Sequence, residues 1–114
     1  MKLQIEGQNL RVRINEDELA RLLGGDSVVA HSRFADAFTV SCTLRLHTGQ
    51  QAQIVGAADA WTVIVPEAAV REHAARLPTR EGLAFVLPGR GDGDTLELLF
   101  DVDVRDSVRH RRHH

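Results

Sequence analysis

Residues 2–14, KLQIEGQNLRVRI, alternate apolar and polar side chains on both sides of a Gly-Gln-Asn stretch. The apolar positions of the two arms are Leu3, Ile5, Leu10, Val12 and Ile14. A period of two is typical of a strand that buries one face and exposes the other. Because Gly and Asn favour tight turns, the stretch at 7–9 predicts an N-terminal β-hairpin.

A short helix is predicted directly after this hairpin. Asn15 can accept a hydrogen bond from the free amides of a first helical turn, and Glu18 lies at the capping-box position three residues later. The acidic residues at 16–18 also suit the positive end of a helix dipole. Gly24 and Gly25 predict the end of the helix.

The remaining elements are predicted to be short strands and one further helix. The run Phe38–His47 alternates most regularly and predicts a half-buried antiparallel strand, while Asp26–Phe34 predicts an edge strand. Pro66 suits the first turn of a second helix, which we expect to end at Leu77. Further strands are predicted at Gln51–Gly56, Trp61–Val65, Leu83–Leu87 and Leu96–Val104. No internal repeat is visible in the sequence.

Short strands separated by tight turns favour an α+β fold. We predict a mainly antiparallel, barrel-like curled sheet of about seven short strands with two short helices. A length of 114 residues fits a single domain. We place this domain at 1–104, where the apolar alternation stops, and expect a flexible basic tail rich in His and Arg at 105–114.

Composition narrows the classes of function. Hydrophobic residues make up 43% and charged residues 26%, as in ordinary folded domains. The formal net charge is −2, and because four arginines lie in the last ten residues, the predicted domain itself is acidic. Neutralisation of phosphates supplies most nucleic-acid affinity, so we do not expect the domain to bind nucleic acid. Binding of nucleic acid through the basic tail at 105–114 stays open as an alternative.

The sequence also guides the expected location and cofactors. No signal-peptide pattern is present, and no apolar run approaches the roughly 20 residues of a membrane span, so we expect a cytoplasmic protein without a membrane partner. Cys42 is the single cysteine, which excludes an intrachain disulfide and a cysteine-cluster zinc site. The six histidines lack metal-ligand spacing, and no nucleophile motif is found. We therefore predict no metal, no cofactor and no catalytic residue.

The candidate binding residues are cations on outward strand positions. Arg11 and Arg13 lie on the polar face of the first hairpin, and Arg45 and His47 lie on the polar face of the regular strand that follows. If these strands are neighbours, the four side chains form a cationic groove for a phosphate or carboxylate, whose oxygens match the planar guanidinium. The alternative is that they are ordinary charges on a solvated sheet face.

Several segments resemble a family of small uncharacterised bacterial proteins, classed as a domain of unknown function. The likeness rests on the opening hairpin with its acidic-capped helix, on Thr62-Val63-Ile64-Val65-Pro66 and on Thr95–Phe100. Family members carry an acidic-basic-aromatic stretch and a Cys after the last strand, where this chain has Asp101–Arg105. The resemblance implies a stand-alone α+β domain of bacterial origin and implies no activity.

These observations favour a non-enzymatic binding or protein-interaction module. Small β-rich domains with unpaired edges associate by strand addition, so we expect a protein partner or a homodimer through a strand edge. The alternative is a domain or enzyme that binds a phosphate or carboxylate on the basic face, with His47 as acid or base.

Overall fold

The computed structural model describes residues 1–104, so the predicted tail at 105–114 lies outside the described residues. Eight strands and two helices follow one another along this part of the chain. In chain order they are β1 Lys2–Glu6, β2 Asn9–Asn15, α1 Glu16–Leu23, β3 Val28–Phe34, β4 Phe38–His47, β5 Gln53–Ala57, β6 Ala60–Pro66, α2 Glu67–Ala75, β7 Leu83–Pro88 and β8 Thr95–Asp103.

The strands form two four-stranded sheets that enclose one apolar core. The first sheet has the order β1-β2-β8-β7, and the second has the order β3-β4-β6-β5. In each sheet the two central strands run parallel and each edge strand is antiparallel to its neighbour. The inward residues of both sheets belong to one cluster, in which Val12 lies opposite Phe100 and Val63 opposite Leu44.

The predicted barrel-like curled sheet of about seven strands is wrong, because the described residues form two separate mixed sheets without closure. The run Phe38–His47 is antiparallel to β3 but parallel to β6. Strands β4 and β6 run parallel because the chain reverses its direction twice between them, once after β4 and once in the β5–β6 hairpin. Apolar alternation within a strand reports which face is buried, and it carries no information on the neighbouring strand.

The predicted hairpin, the start of the first helix and the edge strand are confirmed, whereas the second helix ends at Ala75 and not at Leu77. The N-terminal hairpin pairs Lys2 with Arg13 at its open end, and β3 is an edge strand. The amide of Glu18 donates to Asn15 Oδ1 at 2.8 Å, and the Asn15 amide donates to Glu18 Oε1 at 3.0 Å. Both hydrogen bonds of the capping box are therefore formed, and Gly25 adopts a φ of +99° after the helix.

The two halves of the chain have the same topology. A constant shift of 51 in residue number matches the bounds of β1 and β2 and the start of α1 to those of β5, β6 and α2, so that Val12 corresponds to Val63 and Leu22 to His73. Each half is a ββαββ unit, and each sheet combines the first hairpin of one half with the second hairpin of the other. Few of the corresponding residues are identical, which is why the sequence shows no repeat although burial follows the duplication.

Candidate functional site

The four predicted cationic residues lie on two different sheets. Arg11 and Arg13 are on β2, on the outward face of the first sheet, and Arg45 and His47 are on β4, on the outward face of the second. The core lies between these two faces. The structure therefore does not bring the four residues together, because β2 and β4 are not neighbours. Anion binding by either pair stays a prediction.

Asp101 holds Arg11 and Arg13 in place. Arg11 Nε donates to Asp101 Oδ2 at 2.9 Å, and Arg13 Nε donates to Oδ1 at 3.0 Å. The carboxylate side chain is only 13% exposed, and it ties β2 to its parallel neighbour β8. Sequence reasoning missed this residue because Asp101 lies 88 residues beyond Arg13, and only the parallel register places them opposite each other.

Three cations nevertheless share one depression in the surface of the first sheet. Lys2 lies opposite Arg13 across the hairpin, and both line the depression together with Leu3, Gln4 and Arg11. One carboxylate, Asp101, faces the two arginines. The charged residues that line the depression itself are therefore all cations, and two of them are paired with Asp101.

His47 has a structural contact at the turn between β4 and β5. Its Nε2 lies 2.7 Å from the carbonyl oxygen of Gln51. The ring also lies against Gly49, where a Cβ atom would come within 2.6 Å of it. The imidazole therefore occupies the space that a side chain at position 49 would need, and it helps to hold this turn.

His73 is the most buried ionisable group of the second half. It is 2% exposed, and its ring contacts Phe100 edge-on with centroids 6.4 Å apart. Burial lowers the pKa of the imidazole below its ordinary value, Arg76 lowers it further, and Asp101 opposes the change. The corresponding position in the first half is Leu22, an aliphatic core residue.

We expect His73 to contribute to the pH dependence of the free energy of unfolding. Its pKa is lower in the folded state than in the unfolded chain, so the unfolded state takes up the proton first as the pH falls. The contribution of His73 to the free energy of unfolding is therefore fully present above the ordinary histidine pKa, and it is lost as the pH falls below that value. His73→Leu, which copies Leu22, should flatten the decline in melting temperature between pH 7.5 and about pH 5. Equal pH profiles for both proteins would contradict this assignment.

The hairpin of β3 and β4 extends beyond the second sheet. Pairing of β4 with β6 begins at Ser41, so residues 38–40 pair with β3 alone. We call residues 32–40 the β3–β4 arm. At its end Phe34 and Phe38 stack with ring centroids 4.7 Å apart and an interplanar angle of 23°. The two residues are 51% and 56% exposed.

The corresponding hairpin of the other half has no such aromatic pair. The registers of β7 and β8 place Gly89 and Asp94 where the arm has Phe34 and Phe38. A Cβ at Gly89 would come within 2.1 Å of the Asp94 carbonyl oxygen, so the two strands are too close there for any larger residue. The aromatic end of the arm is thus a departure from the internal duplication. Sequence reasoning placed the strands but gave no role to these phenylalanines.

Cys42 is the one cysteine of the chain, and its thiol is buried. Burial raises the pKa of the Cys42 thiol to about 11, so the thiol stays protonated near neutral pH. Over residues 1–104, no three His, Cys, Asp or Glu side chains are grouped as metal ligands. Within the same range, neither helix is long and apolar enough to cross a membrane.

Comparisons with family models, with curated proteins and with solved structures give no match for this chain. What defines the molecule is therefore its own architecture: a duplicated ββαββ unit with two mixed sheets, one projecting hairpin and one cationic depression. The resemblance to small uncharacterised bacterial proteins stays a prediction.

Proposed function

We propose that this protein is a non-enzymatic protein-interaction module and that the β3–β4 arm is its contact surface. The observation that carries the proposal is the exposure of Phe34 and Phe38, about half of each side chain, at the end of a projecting hairpin. Apolar surface in contact with water costs roughly 25 cal/mol per Å², so the two rings gain free energy when a partner covers them. Aromatic side chains of this kind are typical interface anchors.

The strand edge beside these rings supports the same function. One side of β3 pairs with β4, and on its other side no strand of residues 1–104 pairs with its backbone amide and carbonyl groups. An extended partner segment can add to such an edge through main-chain hydrogen bonds, while alternate side chains supply specificity. The arm therefore offers both a hydrogen-bonding edge and an apolar anchor.

Site-specific photo-crosslinking in the cell that naturally contains this protein tests the proposed interaction function. A benzophenone amino acid replaces Phe38 in one variant and Val86 in a control variant; Val86 is an exposed valine on the edge strand β7. We expect a crosslinked protein from position 38 and none from position 86. The captured protein, purified, should bind the wild-type chain at least tenfold more tightly than the double variant Phe34→Ser and Phe38→Ser. Equal crosslinking from both positions, or equal affinity, would refute the function.

A second candidate, the binding of a small phosphate or carboxylate, is favoured by one observation. Lys2, Arg11 and Arg13 line a single depression, in which Asp101 pairs with the two arginines. Phosphate, nucleotides and small carboxylates should then raise the melting temperature, because they bind only the folded state. The rise should disappear in Arg13→Ala and persist in Arg45→Ala, whose side chain lies on the opposite face of the molecule. Loss in both variants, or no rise with any anion, would exclude this site.

A further inference from the structure

We propose that two copies of this chain associate through β3, which pairs antiparallel with β3 of the second copy. The two second sheets then form one continuous sheet of eight strands. This inference rests on the proposed function, because it names a second copy as the partner of the β3 edge that continues into the β3–β4 arm. It goes beyond that function by fixing the strand, the direction and the register of the contact.

Among the four sheet edges of the described residues, β3 is the least protected. It has seven residues, whereas β1 and β5 have five each and β7 has six. Strand β7 ends in Pro88, which has no amide, and β5 contains Gly56 with a φ of +108°. Strand β1 begins and ends with charged side chains. Edge strands that avoid pairing use such features, whereas β3 has no Pro and no Gly, and its one arginine, Arg33, lies next to its last residue.

The pattern of β3 specifies one register for pairing with itself. Side chains opposite each other in a sheet point to the same face, so the twofold axis of two identical antiparallel strands passes through a residue and not between two residues. Only the register centred on His31 pairs all seven residues, Val28–Phe34, in both copies. A shift to the next allowed register leaves two residues of each strand without a partner.

This register places compatible side chains opposite one another. Phe34 of one copy lies opposite Val28 of the other on the inward side, so two apolar residues share that position, although Val28 is already covered within its own copy. On the outward side Arg33 faces Val29, and His31 faces His31 of the second copy. No two acids and no two arginines face each other along the seven residues. One strand pair and two rings form a small interface, so we expect association in the micromolar range.

Opposite charges at position 31 provide the first test. His31→Glu or His31→Lys places two like charges directly opposite each other, which destabilises a strand pair. In sedimentation equilibrium at about 100 µM, above the range expected of a weak interface, the wild type should be dimeric. Each variant alone should associate at least tenfold more weakly, and an equimolar mixture of the two should recover the dimer. A monomeric wild type, or a mixture no tighter than the separate variants, would overturn the proposal.

Val86 supplies the matched control for these variants. It occupies the position on β7 that corresponds to His31 on β3, points outward from an edge strand and is exposed. Val86→Glu and Val86→Lys therefore add the same charges to the other hairpin of the duplication. We expect both to dimerise like the wild type. Equal weakening by substitutions at 31 and 86 would mean that charge in general, and not the β3 edge, controls association.

Cysteine crosslinking tests the register. In the register centred on His31, position 31 alone faces itself, at the Cα separation of about 4.5–5.5 Å that a disulfide spans. His31→Cys should form a covalent dimer under mild oxidation, whereas Val29→Cys, on the same face of the strand, should react at least tenfold more slowly. Cys42 is buried and does not compete. Faster crosslinking of Val29→Cys, or equal rates, would exclude the register.

Failure of this inference can be distinguished from failure of the proposed function. If the wild type is monomeric while position 38 captures a different protein that binds the arm, the interaction function stands and self-association is refuted. If position 38 captures nothing and the wild type is monomeric, both are refuted. If position 38 captures only further copies of this chain and the charge exchange restores the dimer, both are supported.

Discussion

Phe100→Ala is expected to lower the free energy of unfolding by about 3–5 kcal/mol, the usual cost of removing a buried phenyl ring. Phe100 is fully buried on β8, where it lies opposite Val12 on one side and Leu83 on the other. Its ring also contacts His73 of α2. Removal of the ring therefore leaves a cavity at the point where three strands of the first sheet and a helix of the second half meet.

Urea unfolding followed by circular dichroism measures this effect. The matched control is Phe38→Ala, which removes the same ring from the exposed end of the β3–β4 arm and should change stability by less than about 0.5 kcal/mol. Both proteins are compared at a concentration below the range of self-association, because dimer formation adds to apparent stability. Similar midpoints for the two variants would show that the burial of Phe100 is not what the structure describes.

Asp101→Ala is expected to cost about 1–3 kcal/mol, the range for charge-assisted hydrogen bonds whose loss leaves their partners partly buried. The carboxylate accepts from both Arg11 and Arg13 and is itself largely covered. The arginines are 40% and 37% exposed, so water can solvate them once the acid is gone, and the cost stays below that of breaking a fully buried ion pair.

Single arginine variants separate the two ion pairs. Arg11→Ala and Arg13→Ala each leave Asp101 with one partner, so each should cost less than Asp101→Ala itself. Asp92→Ala, which removes an exposed carboxylate from the loop before β8, serves as the control and should be nearly neutral. Thermal unfolding at low and high salt measures all four proteins. A cost for Asp101→Ala no greater than that of Asp92→Ala would show that the ion pairs contribute nothing.

The sequence predicted single elements well, because their signals are local. Alternation at Leu10, Val12 and Ile14 determines which face of β2 is buried, and Asn15 with Glu18 forms the capping box in the expected geometry. Each of these signals lies within a few residues along the chain. The partner of a strand is not encoded at that distance, which is why the predicted barrel was wrong.

Strand pairing also explains why the four candidate binding residues are not brought together. Arg11, Arg13, Arg45 and His47 share a residue class and an outward strand position, which suggested one cationic groove. The pairing of β2 with β8 and of β4 with β6 places them on opposite faces of the molecule. Asp101, the residue that does contact two of them, was not identified from the sequence because ion pairing depends on register across a parallel pair.

Chemistry and local conformation were thus determined by the sequence alone: the apolar faces of the strands, the start of α1, the single cysteine and the acidic balance of charge. Only the tertiary structure decided the two mixed sheets, the duplication that relates Leu22 to His73, and the exposure of Phe34 and Phe38. The physical reason is that hydrogen-bonded strand pairing joins residues far apart in the chain. A side chain is buried or exposed according to which strands and helices cover it. Residues 38–40 of β4 pair with β3 alone, because the pairing of β4 with β6 begins only at Ser41.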